Sequence, residues 1–179
     1  MAVTDFLLQK EVDCVLAALM PQNALIIRTA LQTGLRINDV LSLKPDQLKP
    51  NFWVTEAKTG KRKQVGLPKE LLTELRRQAG LNWVFEGRDP TKHKTRQAIW
   101  YDVKRAAAAF RLPQNVAPHS FRKVYAVRLM EKYGNLSKVQ KAMNHQRPEI
   151  TMIYALADKL LEAKLQAQRN RVDSRGPRW

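Results

Sequence analysis

The sequence predicts an α+β fold, mainly α, with one small antiparallel β-hairpin. Three observations carry that reading. Apolar residues recur at helical spacing through most of the 179 residues. One stretch, NFWVTEA–KTGK–RKQVGLP, instead gathers strand formers on both sides of a glycine-bearing turn. The hydrophobic fraction of 44% is enough for one compact core, and a lone cysteine, Cys14, leaves nothing for a disulfide framework or a cysteine-based zinc site.

Each element has a local reason. Leu8, Val12, Val15, Leu16 and Leu19 share a helix face, with Thr4 or Asp5 available as the N-cap. Pro21 suits the first position of a second helix, NALIIRTALQTG, which Gly34 ends as a C′ residue. INDVLSL makes a short third helix that stops near Pro45. The hairpin follows, with a basic tip. KELLTELRRQAG is a helix closed by Gly80, and GRDPTKHK is a polar, basic loop. Thr95 caps a helix that places Ile99, Val103, Ala106 and Phe110 on one face. After Pro113 and Pro118, Ser120 is the expected cap of FRKVYAVRLMEKY, ended by Gly134. Leu136, Val139, Ala142 and Met143 mark a short helix, and Pro148 starts another. Leu156, Leu160, Leu161 and Leu165 form the stripe of a last helix, and SRGPRW reads as frayed.

Charge narrows the partners. Thirty-two Lys and Arg stand against 16 acids, a net charge of +16. Between Pro90 and Met130 Asp102 is the sole acid among nine basic residues. Such a surplus attracts a polyanion, most simply nucleic acid, and makes binding salt-sensitive. With no apolar run near 18 residues and no charged segment leading into an apolar one, neither a membrane span nor a signal peptide is expected.

Several residues invite a chemical reading beside a plain structural one. His119 and Arg122 stand three apart at a helix start, where free N–H groups favour an anion; the plain alternative is a surface pair. Arg36 follows the Gly34 turn in TGLRIND; it either satisfies helix carbonyls or does chemistry, and Asp39 is placed to orient it. Lys58 lies at the hairpin tip in EAKTGKRK, where a DNA groove would be within reach, or where it merely protects a strand edge. In MNHQRPEITMIY, His145 precedes Tyr154 by nine residues; singly, each is an ordinary core or surface residue.

Taken in order, TGLRINDVLSL, EAKTGKRKQVGLP, PHSFR and MNHQRPEITMIY resemble the catalytic domain of the tyrosine recombinases, the phage integrase family. The resemblance runs from about Asp5 to Leu156. It departs where members have Leu-Gly-His and this chain has Met143-Asn144-His145, although Asn is the next-best residue for a turn with positive φ. It also has Lys123 where many members have a histidine. The resemblance implies an integrase-like DNA breaking-rejoining fold and a single catalytic domain over 1–179, without an N-terminal core-binding domain. Residues 165–179 would be a tail, exchanged between subunits or frayed.

The implied activity is site-specific recombination of double-stranded DNA through a 3′-phosphotyrosyl link, by a homo-tetramer in the cytoplasm, with no cofactor and no metal. The implied catalytic set is Arg36, Lys58, His119, Arg122, His145 and Tyr154. Lys61, Arg62, Lys63, Lys92, Lys94, Arg96 and Lys123 are the further DNA contacts expected. Two other activities stay open: a type IB topoisomerase that nicks and reseals, and a DNA-binding protein without chemistry.

Overall fold

The structure, a computed structural model, describes residues 5–144. Among these, seven helices and one hairpin follow in the order α1 (Gln9–Ala18), α2 (Pro21–Thr33), α3 (Ile37–Leu41), β1 (Asn51–Thr55), β2 (Arg62–Gly66), α4 (Lys69–Gln78), α5 (Arg96–Ala109), α6 (Pro118–Tyr133) and α7 (Leu136–Met143). A short 3-10 turn, Pro45–Gln47, links α3 to the hairpin. The α+β, mainly helical class is what the sequence predicts. The helix expected to start at Pro148 and the leucine-striped helix after it lie outside the described residues.

Helix α2 is the central strut. It carries apolar side chains around most of its circumference, and Leu25, Ile26, Ile27, Ala30 and Leu31 are all buried. A helix so covered must be wrapped on several sides, and α1, α3, α4 and α6 all pack on it. Each fully buried Leu or Ile contributes roughly 1.5–3 kcal/mol relative to an exposed one, so the site-bearing end of α2 rests on the best-anchored element. A smaller cluster of Ala126, Val139 and Met143 fastens α7 to α6.

The hairpin shows why strand period matters here. Phe52 pairs with Val65 and Val54 with Lys63. Alternation turns Phe52, Val54 and Val65 into the core and leaves Trp53 outside, where the Arg62 guanidinium lies 5.0 Å from its ring centre. Continued one step, the inward row of β1 reaches Glu56, and that of β2 reaches Lys63.

Several local readings change. Helix α6 starts at Pro118, so Ser120 sits in its first turn, and its Oγ accepts the Ala117 N–H at 3.3 Å. Proline at the first helical position takes the start because its missing N–H costs nothing there. Phe110 is 45% exposed: the helix ends at Ala109, before the stripe brings it to the core. Gly80 is not a left-handed cap; a Cβ there would strike the Glu86 carboxylate at about 2.1 Å. Lys94, expected to face DNA, turns inward and donates to Gln22 Oε1 at 2.6 Å and Asn23 Oδ1 at 2.7 Å. Asn23 in turn donates to Asp102, which also accepts the Met20 N–H. This network pins the start of α2 to α5 and the loop before it. Among the described residues no helix is long and apolar enough to cross a membrane.

Candidate active site

The site begins where α2 ends. Gly34 takes φ 63°, the left-handed conformation that closes the helix. Its missing Cβ is needed twice, because a side chain there would also meet the Tyr125 ring of α6 at about 2.2 Å. The tight turn brings α6 close to α2 and aims Arg36, the residue before α3, at the hairpin. Arg36 Nη1 donates to Glu56 Oε2 at 2.6 Å. The Asp39 partnership expected from sequence does not form: Asp39 Oδ1 accepts the Ala57 N–H at 2.9 Å instead. Both residues of the TGLRIND segment thus tie α3 to the hairpin turn that carries Lys58.

Arg122 comes from the first turns of α6 and is 2% exposed. Its guanidinium donates to the Gly34 carbonyl and, at 2.7 Å, to the Met143 carbonyl. A planar fork with five donors can join such separate groups, which an ammonium cannot do in one plane. Arg122 therefore binds the ends of α2 and α7 together while lining the pocket. Next to Met143, Asn144 takes φ 55°, and its Nδ2 donates to the Arg62 carbonyl at 3.4 Å. Asparagine holds the left-handed turn, as the sequence leads one to expect of the next-best residue after glycine.

These segments enclose a pocket of about 230 Å³ lined by, among others, Arg36, Asp39, Lys58, Arg96, His119 and Arg122. Four of the six residues expected to do the chemistry thus meet in one cavity. The other two, His145 and Tyr154, lie outside the described residues. Lys58 is exposed on the turn, and His119 sits in the first turn of α6.

The electrostatics are lopsided. Crowding by the protein, then the charges of Arg122, Lys123, Arg36 and Lys58, push the His119 pKa down to about 4, although the residue is exposed to solvent, which weakens the first of these causes. Its imidazole is neutral at pH 7 and able to accept a proton. Glu56 is fully buried; burial pushes its carboxyl up, but the hydrogen bond and charge of Arg36 prevail and hold it below the ordinary value. Asp39 goes the other way, raised by burial. Asp39 Oδ2 and Glu56 Oε1 have no hydrogen-bond partner, so both acids face the cations with unspent acceptor capacity. Among the described residues no three His, Cys, Asp or Glu side chains gather to hold a metal ion.

Lys63 corrects another expectation. It is 8% exposed, and its Nζ donates to the Thr33 carbonyl at 2.7 Å, inside the protein. Its Nζ also lies 5.2 Å from the Tyr125 ring centre. Burial, then repulsion from Arg122, lowers its pKa to about 7. Thr33 and Gly34 thus present successive carbonyls, one to Lys63 and one to Arg122. Strand period alone points to Glu56 and to an inward Lys63, since both fall on the inward phase of strands whose apolar residues set the register. Arg96, by contrast, lies on the pocket wall, and Lys61, Arg62 and Lys92 are exposed.

Comparison with known proteins agrees with this fold. The model of the phage integrase family matches residues 5–160. A tyrosine recombinase of Thermosipho africanus is 28% identical over 163 residues, 85% of this chain and 57% of that protein. Tyrosine recombinase XerD of Lacticaseibacillus casei is 32% identical over 141 residues, 68% of this chain and 46% of that protein. The chain spans about half the length of these two curated relatives. Among solved structures, the catalytic domain of bacteriophage HP1 integrase superimposes with a TM-score of 0.67 at 25% identity, covering 92% of this chain and 95% of that one. XerH site-specific recombinase bound to its palindromic difH substrate, a post-cleavage complex, shares the fold with a TM-score of 0.68 at 22% identity, over 83% of this chain and 48% of that one. With a family model matched over most of its length and a fold shared with integrase and recombinase structures, this chain belongs to the phage integrase family.

Proposed function

We propose that the chain cuts and rejoins double-stranded DNA at a specific site, through a 3′-phosphotyrosyl intermediate on Tyr154 and without a cofactor. The observation that carries this is the convergence of Arg36, Lys58, His119 and Arg122, from separate segments, on one pocket. The family's DNA-bound members add support.

The chemistry follows from the residue types. A phenol with a pKa near 10 is a weak nucleophile at neutral pH. Neutral His119 accepts its proton as the oxygen attacks phosphorus. Arg36 and Arg122 supply positive charge to the non-bridging oxygens, where negative charge grows in the pentavalent transition state. His145 donates to a phosphate oxygen. As the P–O5′ bond breaks, Lys58 gives the leaving 5′-oxygen a proton. One diester replaces another, so reversal by a 5′-hydroxyl reseals the strand without an energy source. Lys61, Arg62, Lys92, Arg96 and Lys123 bear on the flanking phosphates, and a homo-tetramer on DNA pairs two sites for exchange.

A nicked suicide duplex tests the reading. On a denaturing gel the wild type gives a covalent protein–DNA band and Tyr154→Phe gives none, while both shift the duplex on a native gel. A band that persists in Tyr154→Phe removes the tyrosine from its role.

A further inference from the structure

We infer that Glu56 is a positioning residue that locks the Arg36 guanidinium and the Lys58 turn into one unit, so that grip on the phosphate and proton delivery to its leaving oxygen are set together. The inference rests on the cleavage chemistry proposed above and adds a residue to it.

Glu56 stands at both ends of the linkage. Its side chain accepts from Arg36 at 2.6 Å and from Thr59 Oγ1 at 2.9 Å, both on Oε2. Its main chain closes the turn: its N–H donates to the Lys61 carbonyl, and its carbonyl accepts the N–H groups of Thr59 and Gly60. Lys58 is carried between these bonds. The second carboxylate oxygen lies 3.7 Å from Arg122 Nη1 with no hydrogen bond of its own. The inward row of β1, Phe52 and Val54, would be extended most simply by another apolar residue. A fully buried carboxylate in that row is expensive unless its charge is used. A place where the sequence breaks its own local pattern is where a functional demand is expected.

The linkage makes a distinctive prediction. In a substrate whose 5′-bridging oxygen is replaced by sulfur, the leaving thiolate needs no proton. Single-turnover adduct formation at saturating DNA is measured on the oxygen and sulfur duplexes. Lys58→Ala calibrates the assay, losing rate on oxygen and keeping it on sulfur. Glu56→Gln keeps the shape and removes the charge. It is expected to lose roughly 10–100-fold on oxygen, part of the 10²–10⁴ that a general acid supplies, and clearly less on sulfur. Thr59→Val cuts the tie to the turn but leaves Glu56 on Arg36; it is expected to lose about 3–10-fold on oxygen and almost nothing on sulfur, within that same general-acid range. The oxygen-to-sulfur ratio is unaffected by any misfolded fraction, which lowers both rates alike. Equal losses on the two duplexes, or no loss in Glu56→Gln, overturn the inference. A wild type that forms no adduct on either duplex overturns the cleavage reading itself, and a Lys58→Ala that sulfur does not rescue removes the proton donor on which the linkage depends.

Discussion

The floor of the pocket and its rim are both highly charged, but the charges behave differently. On and beneath the floor, Arg122, Asp39, Glu56 and Lys63 are buried and bonded to named protein partners, with Asp39 Oδ2 and Glu56 Oε1 left over. On the rim Lys58 and Arg96, and beyond it on the hairpin Lys61 and Arg62, stay exposed. Charges on the floor hold the ends of α2, α6, α7 and the hairpin in register, and burial makes them strong and costly to unpair. Rim charges are screened by water and contribute little to folding. The comparison teaches that one cluster of basic residues divides into a buried scaffold that sets geometry and an exposed fringe, the part proposed to meet DNA.

The largest expected effect separates the two regions. Arg122→Ala and Lys58→Ala should both cut strand cleavage by about 10²-fold or more. Only Arg122→Ala should also cost stability, about 3–5 kcal/mol, because it removes the buried donor to the Gly34 and Met143 carbonyls and the charge beside Glu56 Oε1. Lys58→Ala should stay within about 0.5 kcal/mol of wild type. Denaturant unfolding beside the adduct assay tests this; equal stability of the two variants erases the distinction.

Next is Gly34→Ala. A Cβ forced into left-handed backbone and into the Tyr125 ring should cost roughly 2–5 kcal/mol. It should also reduce cleavage in the fraction that remains folded, since the turn aims Arg36.

Lys63 sharpens the comparison through pH. Its folded pKa, about 7, lies below its unfolded value, so between pH 7 and about 10.5 the unfolded chain binds the extra proton. Stability should therefore rise with pH across that window, by up to about 1.4 kcal/mol per unit from this group, and the penalty of burying its charge is fully present below pH 7. Lys63→Met should remove that component. An identical slope in the variant would place the ammonium in a wetter setting than the floor.

The smallest effects belong to the fringe. Lys61→Ala and Arg62→Ala should leave unfolding almost unchanged. Each should weaken DNA binding across sequences and lower the dependence of log affinity on log salt by about 1. A loss confined to one sequence would point to base readout instead.

The fold was largely readable because its helices declare themselves locally. Pro21 and Gly34 bracket α2, Thr95 caps α5 through the Ala98 N–H, and the hairpin breaks the helical period. Ser120 misled because a good cap residue lay two places inside a proline start, and Pro118 won. At the site, motif order by itself points to Arg36, Lys58, His119 and Arg122. By itself the sequence determined the elements, the basic character and the residue types suited to a phosphodiester, since propensity, period and charge act over a few neighbours. Only the tertiary structure decided that Arg36 pairs with Glu56 rather than Asp39, and that Lys63 and Lys94 face inward. Those choices depend on which strand phase and which loop become dry when distant segments close, and burial is a property of the packed whole.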